Sequence, residues 1–158
     1  LKEKDLNLDI SMKLKQLLEE GGARVFMTRE SDIYVDYFVT PGIANEIGAD
    51  LFVSVHNNTA INSGVSGTET LYFPGPEKQA LAQAIQDAVV RNLGLADRGI
   101  KERPGLVVTR ETKMPSALVE VAFMTNSNDR VLLMTDEFKQ KAAEGIYEGI
   151  LNYLSGQN

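Results

Sequence analysis

Apolar residues recur along this chain at two spacings. Leu6, Ile10, Leu14, Leu17 and Leu18 follow one another at intervals of three and four, the period of a helix face. They predict an amphipathic helix from about Lys4 to Glu20. Gly21-Gly22 then supplies a stop, since glycine tolerates the left-handed conformation just past a helix end. Leu81, Ala84, Ile85, Ala88 and Val89 predict a second helix over about Glu77–Asn92, closed by Gly94. Phe138, Ala142, Ile146, Ile150 and Tyr153 predict a third, Asp136–Leu154. Shorter helices are expected over Asn126–Met134 and at Ile43, Ala44 and Ile47, where Thr40-Pro41 suits an N-cap followed by proline at the first helical position. Tyr34–Val39 reads equally as a separate turn or an extra helical turn.

The second spacing is that of strands. Leu51–Val55 is rich in β-branched and aromatic side chains and reads as a buried strand. Gly67–Phe73 alternates as a strand does, and Ala117–Val121 reads as buried on both faces. Arg24–Thr28 and Leu106–Val108 are expected as short strands. Arg29–Asp32, Asn57–Ser66 and Ala96–Gly105 read as loops, the last carrying Arg98, Lys101 and Arg103. Strands alternating with helices predict an α/β fold, one domain over residues 1–158 with a mixed, mostly parallel sheet and helices on both faces. A chain of 158 residues is long enough for one such core.

Composition narrows the chemistry. The chain has no cysteine, which removes disulfides, thiolate zinc sites and cysteine nucleophiles. Its net charge of −6 argues against nucleic acid or an anionic membrane surface as partner. No apolar run approaches the roughly 18 residues of a membrane span. The chain opens at Leu1 on the charged run Lys2-Glu3-Lys4-Asp5, and the lack of a visible signal peptide carries no information on localisation.

Three residues stand out against this background. His56, the single histidine, follows the Leu51–Val55 strand, and ligands of open α/β sheets gather at the carboxyl ends of strands. The plain alternative is a loop histidine without a role. Glu120 is a lone carboxylate in an apolar strand, where an ionised group is expensive. It is either paired with a cation such as Arg98 or Arg110, or held partly dry so that its pKa rises toward general-base range. Glu3 sits at a helix start, which the helix dipole alone would favour. Histidine and carboxylate ligands with a separate glutamate base make a hydrolytic zinc site, but spacing does not bring these three together.

Several segments, taken in order, resemble one family. They are KEKDLNL (Lys2–Leu8), MTRESD (Met27–Asp32), IANEIGADLFVSVHNN (Ile43–Asn58), GTETLYF (Gly67–Phe73) and MPSALVEVAFMTN (Met114–Asn126). Together they are similar to the catalytic domain of the zinc-dependent N-acetylmuramoyl-L-alanine amidases of type 3. The resemblance implies that Glu3 and His56 are ligands of Zn2+, that Glu120 is the catalytic glutamate, and that Asn58 lies beside the metal as a substrate-binding residue. It implies peptidoglycan as substrate and the cell envelope or the exterior as the place of action. The reaction implied is hydrolysis of the amide between the lactyl group of N-acetylmuramic acid and L-alanine of the stem peptide.

Two departures accompany the resemblance. The family's first strand and its Gly-His-Gly-Gly type motif, which carries the first zinc ligand, are absent from this chain. Thr40 stands where the family usually has arginine, a change that concerns helix packing more than chemistry. Two alternatives therefore stay open: a non-catalytic peptidoglycan-binding or regulatory domain of the same fold, and a related zinc peptidase.

Overall fold

In the computed structural model, which describes residues 1–156, each long apolar repeat is a helix. The first, α1 (Glu3–Glu20), buries Leu6, Ile10 and Leu14. Gly22 takes φ 92° and Ala23 N donates to Leu18 O at 2.9 Å, so a left-handed glycine lets the chain satisfy the last carbonyls. Arg24–Thr28, expected as a strand, joins no ladder among the described residues. Its composition suits a strand, but a strand also needs a neighbour to take its N–H and C=O groups. The residues that follow are instead tied along α1: Arg29 Nη2 donates to Lys4 O at 2.6 Å, Lys4 pairs with Asp32 at 2.7 Å, and Lys15 pairs with Glu30.

A turn at Tyr37–Val39 leads into α2 (Thr40–Ile47). Thr40 is its first residue rather than its cap, and its Oγ1 donates back to Asp36 O at 3.3 Å. The next strand, β1 (Phe52–Asn58), runs beyond the predicted end at Val55, so His56 lies within the strand and not after it. Then come β2 (Thr68–Tyr72) and α3 (Pro76–Leu93). The segment expected as a basic loop contains β3 (Asp97–Glu102), hidden in the sequence because an edge strand needs few apolar residues. Leu106–Val108, expected as a strand, gives way to a short helix, α4 (Val107–Arg110). Arg110 N and Glu111 N donate to Leu106 O and Val107 O at 2.9 Å, so these backbone groups are satisfied within the turn and not by a neighbouring strand. The chain ends in β4 (Ser116–Phe123), α5 (Ser127–Leu133) and α6 (Asp136–Leu154). Asn126 caps α5, its side chain accepting from Asn128 N and Asp129 N.

The sheet order is β1-β4-β2-β3. β1 with β4 and β2 with β3 are parallel, and β2 with β4 is antiparallel, so the sheet is mixed and mostly parallel as expected. Alternation along β4 sends Ala117, Val119 and Val121 to one face, where they join the core with Leu81, Ile85 and Val89 of α3 and Ala142 and Ile146 of α6. Helices α3 and α6 meet backbone to backbone: a Cβ placed on Gly149 would lie 2.5 Å from Ile85 Cα. Leu118 and Glu120 point to the opposite face. Ser116, on that same face, bonds Thr112 Oγ1 at 2.8 Å just after α4, so helical segments cover both sides. The middle of the second face carries polar side chains alongside Leu118 and Leu71.

Candidate active site

The sheet register builds the site. His56 on β1 is opposite Glu120 on β4, and Glu120 is opposite Glu69 on β2. Three ionisable side chains thus form one row across three strands, all on the face away from α3 and α6. The first turn of α1 adds a fourth. Glu3 Oε1 lies 3.0 Å from His56 Nδ1, and Asn7 Nδ2 donates to the same oxygen at 3.2 Å. Asn57 N completes the set at 3.4 Å. The other ring nitrogen, His56 Nε2, is 2.9 Å from Ser54 Oγ, so both edges of the imidazole are held.

Each carboxylate has a different environment. The hydrogen bond with His56 is the main cause holding Glu3 below the usual carboxylate range, against the opposing effect of partial burial. Glu69 is buried, which works against its charge, but Lys101 and Arg98 outweigh that effect and keep its pKa low. Glu120 is pushed up to about 7, chiefly by burial and further by the negative charges of Glu3 and Glu69, while His56 pulls it back in part. Its Oε2 is buried with no hydrogen-bond partner.

The cation partners expected for Glu120 are engaged elsewhere. Arg98 Nε lies 3.3 Å from Glu69 Oε2, and Arg110 pairs with Glu111 at 2.7 Å. Asn58 Nδ2 donates to Glu69 Oε1 at 3.0 Å and its Oδ1 accepts from Thr59 N at 2.9 Å. One N–H of its amide stays available. Glu69 was not singled out by the sequence. The alternation of GTETLYF puts it on the same face as Leu71, but only the antiparallel pairing with β4 sets it beside Glu120.

A carboxylate oxygen and an imidazole nitrogen at 3.0 Å are held there by a shared proton or a shared cation. Both side chains are accessible, with 43% of Glu3 and 38% of His56 exposed. The pair could supply two donors to a metal ion, with Ser54 holding the ring through its second nitrogen. Among the described residues, no group of three His, Cys, Asp or Glu side chains could hold a metal ion.

Residues 1–152 match the family N-acetylmuramoyl-L-alanine amidase. The chain belongs to this amidase family. Its members are generally metal-dependent. The amidase LytC of Bacillus subtilis (strain 168) is 36% identical over 156 residues, covering 97% of this chain and 31% of LytC. The chain thus spans about a third of the length of that relative. The germination-specific N-acetylmuramoyl-L-alanine amidase of the same organism is 32% identical over 170 residues, covering 98% of this chain and 72% of that protein. Among solved structures, the amidase of Clostridium difficile 630 superposes with a TM-score of 0.94 at 33% identity, covering 100% of this chain and 87% of that one. The catalytic domain of the amidase CwlV from Bacillus (Paenibacillus) polymyxa var. colistinus gives a TM-score of 0.92 at 32% identity, covering 97% and 85%.

Proposed function

We propose that this amidase-family chain hydrolyses the amide between the lactyl group of N-acetylmuramic acid and L-alanine of the peptidoglycan stem peptide. The observation that carries the reading is Glu120, a carboxylate with a buried, unpartnered oxygen in register with His56. A general base needs a carboxyl that is not spent on an ion pair and whose pKa lies near the working pH. Glu120 has both properties.

Glu3 Oε1 and His56 Nδ1 are the atoms that would hold zinc. When bound, the ion supplies a polarised carbonyl and a water of lowered pKa. Glu120 takes the proton from the attacking water and returns it to the departing nitrogen of L-alanine. Ser54 and Asn57 fix His56 and Glu3, and the free amide N–H of Asn58 binds a substrate carbonyl beside Glu120. Action on peptidoglycan places the protein at the cell wall or outside the cell, and no described helix is long and apolar enough to cross a membrane.

The test is to incubate peptidoglycan with the chain and zinc and to count newly exposed alanine amino groups, with Glu120→Gln and a chelator as controls. New amino groups from the unaltered chain alone support the reading. One observation favours a second reading: the described residues bring only Glu3 and His56 to the donor pair. Retention on peptidoglycan with no new amino groups identifies a binding domain of the same fold.

A further inference from the structure

The row His56–Glu120–Glu69 contains a carboxylate with no part in the proposed hydrolysis. Glu69 is 7% exposed, and its two oxygens are fully used. Oε1 accepts from Asn58, and Oε2 accepts from both Arg98 and Lys101. The Arg98 guanidinium also lies over the Phe123 ring, 5.1 Å from its centroid. Glu69 is directly opposite Glu120 on adjacent antiparallel strands, a separation of about 5 Å between side-chain bases. Any cation reaching Glu69 from β3 is therefore one side-chain swing from Glu120.

We propose that Glu69 is a positioning residue that captures Arg98 and Lys101 and so keeps Glu120 free of an ion-pair partner. Two cations beside two carboxylates have two pairings open to them. Glu69 wins because β3 is the direct neighbour of β2, with Asp97 across from Thr68 and Lys101 across from Leu71, so both cations start one strand away from Glu69 and two away from Glu120. Among the described residues Glu120 forms no ion pair with an arginine or a lysine, and its Oε2 has no hydrogen-bond partner. Asn58 is fixed as a consequence, because its Nδ2 bonds a carboxylate that the two cations hold still. The inference rests on Glu120 being the base, since a captured Glu120 would be a poor one.

The experiment is a cycle of variants read by crystallography and by kinetics on peptidoglycan. In Glu69→Gln, Arg98 or Lys101 moves within 3.5 Å of the Glu120 carboxylate. Turnover falls by about ten- to hundredfold, a larger change than any rise in KM from loosening Asn58, the result of placing a cation beside a base. In the triple variant Glu69→Gln, Arg98→Gln, Lys101→Gln, no cation is left to capture Glu120, and most of the lost turnover returns. A merely structural Glu69 would make the triple variant worse than the single one. That result, or cations in the Glu69→Gln crystal that stay away from Glu120, overturns the proposal. If Glu69→Gln does not fold, Arg98→Gln and Lys101→Gln with Glu69 intact replace it: turnover well below the unaltered chain overturns the proposal, and turnover kept near it supports it. If the unaltered chain releases no amino groups, the hydrolytic reading fails by itself, while the Glu69→Gln crystal still decides where the cations go.

Discussion

Replacing Glu120 with glutamine removes a titrating group and keeps its shape, which makes it the sharpest perturbation of this site. The ordinary glutamate value is 4.5, and burial pushes Glu120 up to about 7. Below the lower value the carboxyl is protonated in both folded and unfolded chains, and its ionisation takes nothing from stability. Between the two values the folded protein holds a proton that the unfolded chain has lost, so stability falls as pH rises. Above the upper value the penalty is constant. At about 1.4 kcal/mol for each tenfold change in proton affinity, the total is roughly 3 kcal/mol. Urea unfolding in the presence of a chelator, from about pH 4 to about pH 8, should therefore show the unaltered protein losing roughly 3 kcal/mol relative to Glu120→Gln. A buried amide also has a cost, but it does not vary with pH. Parallel curves would refute the argument, because they would mean that Glu120 is ionised at no penalty in the folded state. The same variant should lose about two to four orders of magnitude in turnover while keeping its fold.

Other outcomes follow from the same structure. His56→Ala should abolish zinc uptake measured by equilibrium dialysis while circular dichroism stays unchanged, and full zinc in the variant would remove His56 from the site. With Glu3 and His56 the only donors among the described residues, the chain should bind zinc weakly, and added free imidazole should raise zinc retention by acting as a third ligand; no response to imidazole would contradict the donor count. Gly149→Ala should lower stability by about 1–3 kcal/mol in thermal or urea unfolding, because its Cβ meets Ile85 Cα at 2.5 Å and Ala84 O at 2.9 Å. Gly42→Ala, in the interior of α2 with nothing within 4 Å of the added carbon, should instead be neutral or gain up to about 1 kcal/mol.

The parts of the molecule legible in the sequence are those whose cause is local. Leu81, Ile85 and Val89, or Phe138, Ala142 and Ile146, declare a helix because one buried face repeats at the helical period. The bounds of α6 match the pattern because Thr135 caps its start, accepting from Phe138 N. Pairing is not local, and there the reading missed. Arg24–Thr28 has the side chains of a strand without a neighbour among the described residues, while Asp97–Glu102 has a neighbour without the side chains. At the site, the lone carboxylate in ALVEV was visible as an anomaly. That Arg98 is engaged by Glu69 was not, because it depends on β3 pairing with β2. Glu3 shows the same limit from the other side. A helix-start glutamate has a sufficient explanation in the dipole, and only the folded chain sets it against His56.

The close seam between α3 and α6 also divides the molecule by how readily its parts open. Helices that meet at Gly145 and Gly149 leave no slack, so amide hydrogens in the middle of α3, α6 and β4 should exchange with solvent only when the whole chain unfolds. The first turn of α1 has no side-chain cap and belongs to the end of a helix, where exchange is fast and local. Glu120 therefore rides on the slow-exchanging β4, while His56 rides on the outer strand β1 and Glu3 on a helix end. Brief opening of that turn parts Glu3 from His56 and leaves Glu120 where it is.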